Sequence, residues 1–301
     1  MEIKDAIKLF VQARTADGRA PRTIQDYYRV LDPFAEWIAE QPQQALARDM
    51  IREYVAHLRS KNWREGTVAI HVRNLRTFLR WMHDEGYTDY NLAASVKAPR
   101  MSSRLEIPIT PNEIQALLET CNSGNFNDVR DRALILLMAD TGLRTGEIVQ
   151  LQMGNWKSEP GNDGSYILVY APKTKKNRYA ILGKWATDAL VAYMDWREVP
   201  PGDAPLFCRG DGCPLKPRAI GSIMLRRGEK AGLERCRTHP HIFRKAFVTG
   251  ALDNGMDPER VRVLAGWTTM AMMAFYTDSA LGRLKAAHKR AGPVDLMNLR
   301  L

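Results

Sequence analysis

Between Pro21 and Glu40 the apolar residues Ile24, Tyr27, Tyr28, Leu31, Phe34 and Ile38 recur at the spacing of an amphipathic helix. The pattern returns over 67–86, where Leu75, Phe78, Leu79 and Met82 share one face, Arg73, Arg76 and Arg80 share another, and Gly86 supplies a stop. The first hundred residues therefore read as short amphipathic helices, one of them with a basic face. From Ser95 to Ile109 the periodicity fades. SVKAPRMSSRLEIPI holds two prolines and the basic residues Lys97, Arg100 and Arg104, and reads as an extended basic linker. The expected organisation is a helical domain over 1–94, the linker over 95–109 and a second domain over 110–301.

In the second domain Thr110 and Pro111 look like a cap and first-turn proline before NEIQALLETC, and the apolar helix DVRDRALILLMADTG ends at Gly142. SYILVYA and RYAIL then carry strand signals, and the polar PKTKKN between them predicts a basic hairpin tip. Helical patterns resume at WATDALVAYMDW and continue, with short breaks, to the end. The fold class is mainly α with a small β-sheet or hairpin.

The chain of 301 residues is long enough for two cores, and its formal charge of +10 favours a polyanionic partner. The excess is uneven. Residues 1–95 hold 14 basic against 13 acidic side chains, leaving 30 against 21 for the remainder. Cys121, Cys208, Cys213 and Cys236 show no CxxC spacing and suggest reduced thiols in an intracellular protein. No apolar run nears the ~20 residues that cross a bilayer, and MEIKDAIKLF is unlike a secretory signal. A cytoplasmic protein without membrane contact is expected.

Four segments supply groups suited to one phosphoryl-transfer site. In TGLRTGEIVQL, Gly142 ends one helix and Arg144 stands at the start of the next, where its fork and the helix N-terminus both favour a phosphate. Glu147, one turn on, faces the same way and could hold Arg144 or a neighbouring base. In APKTKKNRYAIL, Lys173, Lys175, Lys176 and Arg178 could reach a DNA backbone. HPHIFRKAFVTGAL puts His241 and Arg244 three apart on one helical face. In VRVLAGWTTMAMMAFYTD, Trp267 follows a glycine break and Tyr276 comes nine residues later, beyond a Met-rich helix. Each alone has an ordinary structural explanation: a solvated turn, an incidental HxxR, a core tyrosine. Cys236, His239 and His241 lack a second ligand group at a zinc spacing, so no metal site is expected.

Taken in order, TGLRTGE, the hairpin lysine, HPHIFRKAF, LAGW and FYTD resemble the tyrosine recombinase, or phage integrase, family, in its Xer- and Cre-like simple form. The resemblance is strong from about Thr110 to Tyr276. It implies a two-domain, C-shaped DNA clamp: a SAM-like core-binding domain of helices plus a catalytic domain.

The family's roles then fall on Arg144 and Arg244 as phosphate-clamping arginines, Lys173 as the hairpin lysine and general acid, His241 as an assistant in proton movement and Tyr276 as nucleophile. Trp267 stands where many relatives have histidine; its indole N–H can donate a hydrogen bond but cannot exchange a proton. Lys245 likewise replaces a commoner histidine, which bears on how His241 is placed.

The resemblance further implies double-stranded DNA as partner, a 3′-phosphotyrosyl intermediate, no metal or ATP as cofactor, and a homotetramer on two sites, with an accessory protein left open. Arg73, Arg76, Arg80, Lys97, Arg100, Arg104, Lys175 and Lys176 are the candidate DNA-backbone contacts. The tail stripe Leu281, Leu284, Ala287 and Ala291 could pack in cis or dock on a neighbouring subunit. Two other readings use similar residues: a type IB topoisomerase, and a DNA-binding regulator that does no chemistry.

Overall fold

A computed structural model describes residues 2–41, 46–97, 107–158, 164–171, 176–197, 200–273 and 288; for 171 and 176 it describes the backbone alone. The chain divides into two compact units, Met1–Arg104 and Leu105–Leu301.

The first unit consists of α1 (Ile3–Ala16), α2 (Pro21–Ala39), α3 (Arg48–Ser60) and α4 (Glu65–Asp84), closed by a 3-10 turn at Leu92–Ser95. The periodic stripe on α2 buries Tyr27, Val30, Leu31 and Phe34; the stripe on α4 buries Leu75, Phe78, Leu79 and Met82. Phe10 of α1 joins them, with its ring edge-on to Tyr27 at 4.8 Å and to Phe78 at 5.5 Å. Truncating so central a ring to alanine costs about 3 to 5 kcal/mol. Helix α4 ends as its sequence indicates, with Gly86 at φ 76°. Val96, inside the stretch read as linker, packs into this core.

The second unit holds α5 (Pro111–Glu119), α6 (Phe126–Thr141), the one-turn α7 (Thr145–Ile148), strands β1 (Trp156–Ser158), β2 (Ser165–Ala171) and β3 (Lys176–Leu182), then α8 (Lys184–Met194), α9 (Pro217–Lys230), α10 (Pro240–Asp253) and α11 (Pro258–Ala265). Thr110 and Glu113 form a reciprocal capping box on α5, which satisfies backbone donors that the helix itself cannot.

Helix α6 is central. It buries Ala133, Leu134, Ile135, Leu137 and Met138 together with Arg130, Asp128 and Asp131. The two carboxylates are tolerated in the interior because Arg227 of α9 reaches Asp128 Oδ1 and Asp131 Oδ2, each at 2.7 Å.

The sheet is antiparallel in the order β1-β2-β3, with Ile167 opposite Ala180 and Val169 opposite Arg178. Alternation along β3 turns Arg178, Ala180 and Leu182 inward and leaves Tyr179 and Ile181 exposed. Strand β1 is a short addition to the two strands that the sequence signals. No described helix is long and apolar enough to cross a membrane.

Candidate active site

Helix α6 ends at Gly142 in the left-handed conformation, φ 59°. A side chain there would be strained, and its Cβ would lie 2.7 Å from the Phe247 ring on α10, so glycine lets the two helices approach. Two residues later Arg144 is the N-cap of α7. Its amide donates to Glu147 Oε2 at 2.8 Å and its Nη1 to Oε1 at 3.1 Å, so a single carboxylate fixes both ends of the residue. About half of the Arg144 side chain stays in solvent.

Glu147 is itself buried and also accepts from Arg178 Nη2 at 2.9 Å. Arg178, read from sequence as able to reach a DNA backbone, is instead 8% exposed on the inward face of β3. The sequence does carry the signal for this, because strict alternation puts Arg178 on the same face as Ala180 and Leu182. Burial pulls its guanidinium below the ordinary value; Glu147 opposes that shift and Arg144 adds to it.

On α10, His239 caps the first turn by accepting from the His241 amide at 3.2 Å. His241 is exposed, and Arg244 lies one turn further on the same helix at 2% exposure. Nη1 of Arg244 donates to the Gly142 carbonyl at 2.8 Å and Nη2 to the Ala265 carbonyl at 2.5 Å. Its guanidinium carbon lies 5.3 Å from the centroid of the Trp267 ring. Trp267, 5% exposed, packs with Val248, Val261, Ala265 and Met273, so the indole is a rigid wall for the arginine.

These parts open onto a cleft of about 580 Å³ lined by Leu143, Arg144, Thr145, His239, His241 and Arg244, together with Arg218, Ser222, Arg235 and Thr238. The structure thus brings together Arg144, Glu147, His241, Arg244 and Trp267. Arg218, Ser222 and Arg235 escaped the sequence reading. Arg218 and Ser222 stand four apart on α9, a helix whose pattern was read only as a continuation.

Lys173, Lys175 and Tyr276 lie outside the described residues, as do Arg100, Arg104 and the tail stripe; the backbone of Lys176 begins β3. In the first unit Arg73, Arg80 and Lys97 are exposed, whereas Arg76 is half-buried and donates to the Ala93 carbonyl at 3.1 Å. Cys236 bonds to Glu234 Oε2, and among the described residues no cluster of three or more His, Cys, Asp or Glu side chains is placed to hold a metal ion.

Residues 108–283, more than half of the chain, match the model of the phage integrase family. The chain belongs to that family. Residues 7–89 match the phage integrase N-terminal SAM-like domain, so both units have counterparts in the integrases. The tyrosine recombinase XerC of Pelotomaculum thermopropionicum is 29% identical over 94% of this chain and 96% of its own length. The tyrosine recombinase XerD of Staphylococcus aureus is 25% identical over 92% and 94%. The integrase fold is shared with the crystal structure of the XerH site-specific recombinase bound to palindromic difH substrate, a post-cleavage complex. There the TM-score is 0.74 at 21% identity, covering 92% of this chain and 82% of that one.

Proposed function

We propose that the cleft between Arg144 and Arg244 holds the scissile phosphate of a DNA strand, and that Tyr276 attacks it. Site-specific recombination by DNA cleavage and rejoining is the activity of this enzyme; the residue assignment is our own reading. One observation carries it: Arg144, His241 and Arg244 line one cleft, with Arg244 bonded to the Gly142 turn that presents Arg144.

A phenol with an ordinary pKa near 10 is a weak nucleophile at neutral pH, so concentrated positive charge is needed beside it. The two arginines supply that charge and neutralise the non-bridging oxygens as the phosphorane forms. As the Tyr276 oxygen bonds to phosphorus its proton passes to solvent, the bond to the 5′-oxygen breaks, and Lys173 gives that oxygen its proton. The 3′-phosphotyrosine keeps the bond energy, so a 5′-hydroxyl from a partner strand reverses the step. His241, exposed and lining the cleft, assists proton movement, while Glu147 and Trp267 hold the two arginines.

Exposed Arg73, Arg80 and Lys97, with Arg100, Arg104, Lys175 and Lys176, contact backbone phosphates of duplex DNA. Arg76 contributes mainly through the Ala93 carbonyl. Strand exchange between two sites needs four active centres, which supports a homotetramer. The four unpaired cysteines support a reducing, cytoplasmic setting.

The test is single-turnover cleavage beside DNA binding. Arg144→Ala and Arg244→Ala are expected to slow cleavage by about a hundredfold or more, the usual loss for a preorganised charge donor, and to weaken binding far less. Equal losses in both would make these arginines DNA-positioning groups only.

A further inference from the structure

Arg178 is an unusual group to find on the inward face of a strand. Its Nη2 is paired with Glu147, and among the described residues Nε and Nη1 find no acceptor although both are buried. Leaving such donors unpaired costs about 1 to 3 kcal/mol, so packing alone does not account for the residue.

Its position is informative. On one side it grips the carboxylate that fixes the amide and guanidinium of Arg144. On the other it packs against Gly266, so closely that a Cβ there would collide with its Nε. Gly266, at φ 67°, joins Ala265, whose carbonyl holds Arg244, to Trp267, whose ring backs Arg244.

We infer that Arg178 is a positioning residue for strand cleavage, a buried spacer that sets Arg144 and Arg244 relative to each other by bracing Glu147 against the Gly266 turn. The inference rests on the reading of those two arginines as the phosphate clamp. Arg178 never touches DNA. It also adds fixed positive charge behind the clamp.

The experiment compares two duplexes, one with an ordinary scissile phosphate and one with a neutral methylphosphonate at that position. A neutral centre needs less charge neutralisation, so it relieves a misplaced clamp arginine and does nothing for a poorly folded protein. Arg178→Met and Gly266→Ala, the latter pushing Arg178 aside, are expected to slow cleavage of the phosphate duplex by about tenfold to a hundredfold, the scale of an ångström-level misplacement. DNA binding should stay within a few-fold, and most of the loss should disappear on the methylphosphonate, as for Arg144→Ala. Arg178→Lys keeps the ion pair with Glu147 but has no fork; its rate should lie between wild type and Arg178→Met, which provides the comparison if the methionine variant does not fold. Equal losses on both duplexes for the Arg178 variants, with Arg144→Ala rescued, overturn the positioning role alone. If Arg144→Ala is not rescued either, the clamp reading fails and this inference fails with it.

Discussion

Arg244 Nη1 donates to the carbonyl of Gly142 across 2.8 Å, although 102 positions separate the two residues in sequence. Because Arg144 follows Gly142 by two residues, the second arginine is anchored to the turn that displays the first. A buried hydrogen bond thus ties the end of α6 to the second turn of α10.

That bond makes Arg244→Lys a non-conservative change. An ammonium cannot reproduce the planar fork that serves the Gly142 and Ala265 carbonyls together. With a buried acceptor left unpaired, urea unfolding should show a loss of about 1 to 3 kcal/mol, and single-turnover cleavage should fall well beyond the loss in DNA binding. A lysine variant as stable and as fast as wild type would show that the fork is dispensable.

The entry into the catalytic unit should give a distinct acid signature. Arg237 bonds both oxygens of Glu113, at 2.7 and 2.6 Å, and also the carbonyls of Ile107 and Pro108. The Arg237 hydrogen bonds, helped by Thr110 and opposed by burial, hold the Glu113 carboxyl at about 2 against an ordinary 4.5. A depressed folded-state pKa contributes stability that is complete above the ordinary value and lost as pH falls through the folded one. Wild type should therefore exceed Glu113→Gln in unfolding free energy at neutral pH, with the gap closing between pH 4.5 and about 2. A gap that stays constant through this window would contradict the ion pair.

Local pattern made much of this site legible. Apolar spacing located α2, α4 and α6, glycine marked the end of α6, and the three-residue step from His241 to Arg244 put both on one face of α10. Partners were another matter, because periodicity gives a residue's face but not what that face meets. The spacing lets Glu147 hold Arg144 or a neighbouring base; that it pairs with both Arg144 and Arg178, the latter 31 positions on, depends on how β3 packs against α7. Two signals conflict at Arg178: a basic residue near a turn suggests solvent, while period-two alternation along β3 sends it inward, and the alternation wins. The pairing of Arg227 with Asp128 and Asp131 joins residues 99 and 96 apart, beyond any local signal. The type of residue at Trp267 says that an N–H is offered and proton exchange is not; that its ring face backs Arg244 is visible only in the contact itself.

Lys173 as the acid predicts a selective rescue. A 5′-bridging phosphorothiolate has a leaving group that needs no proton, so it should restore cleavage by Lys173→Ala while Arg144→Ala stays impaired. Rescue of Lys175→Ala or Lys176→Ala in its place would move the acid along the hairpin. Rescue of none would turn attention to His241, which the structure puts at the cleft.

The central claim, that Tyr276 is the nucleophile, is tested most directly by trapping the covalent adduct on a nicked duplex and locating the attached nucleotide by mass spectrometry. The account predicts the adduct on the peptide containing Tyr276, and a Tyr276→Phe protein that binds the same DNA yet forms none. Tyr193 is fully buried and bonded to Cys208, so it is no rival; Tyr179, 58% exposed on β3, is the tyrosine to watch. An adduct on Tyr179, or any adduct formed by Tyr276→Phe, would contradict the account.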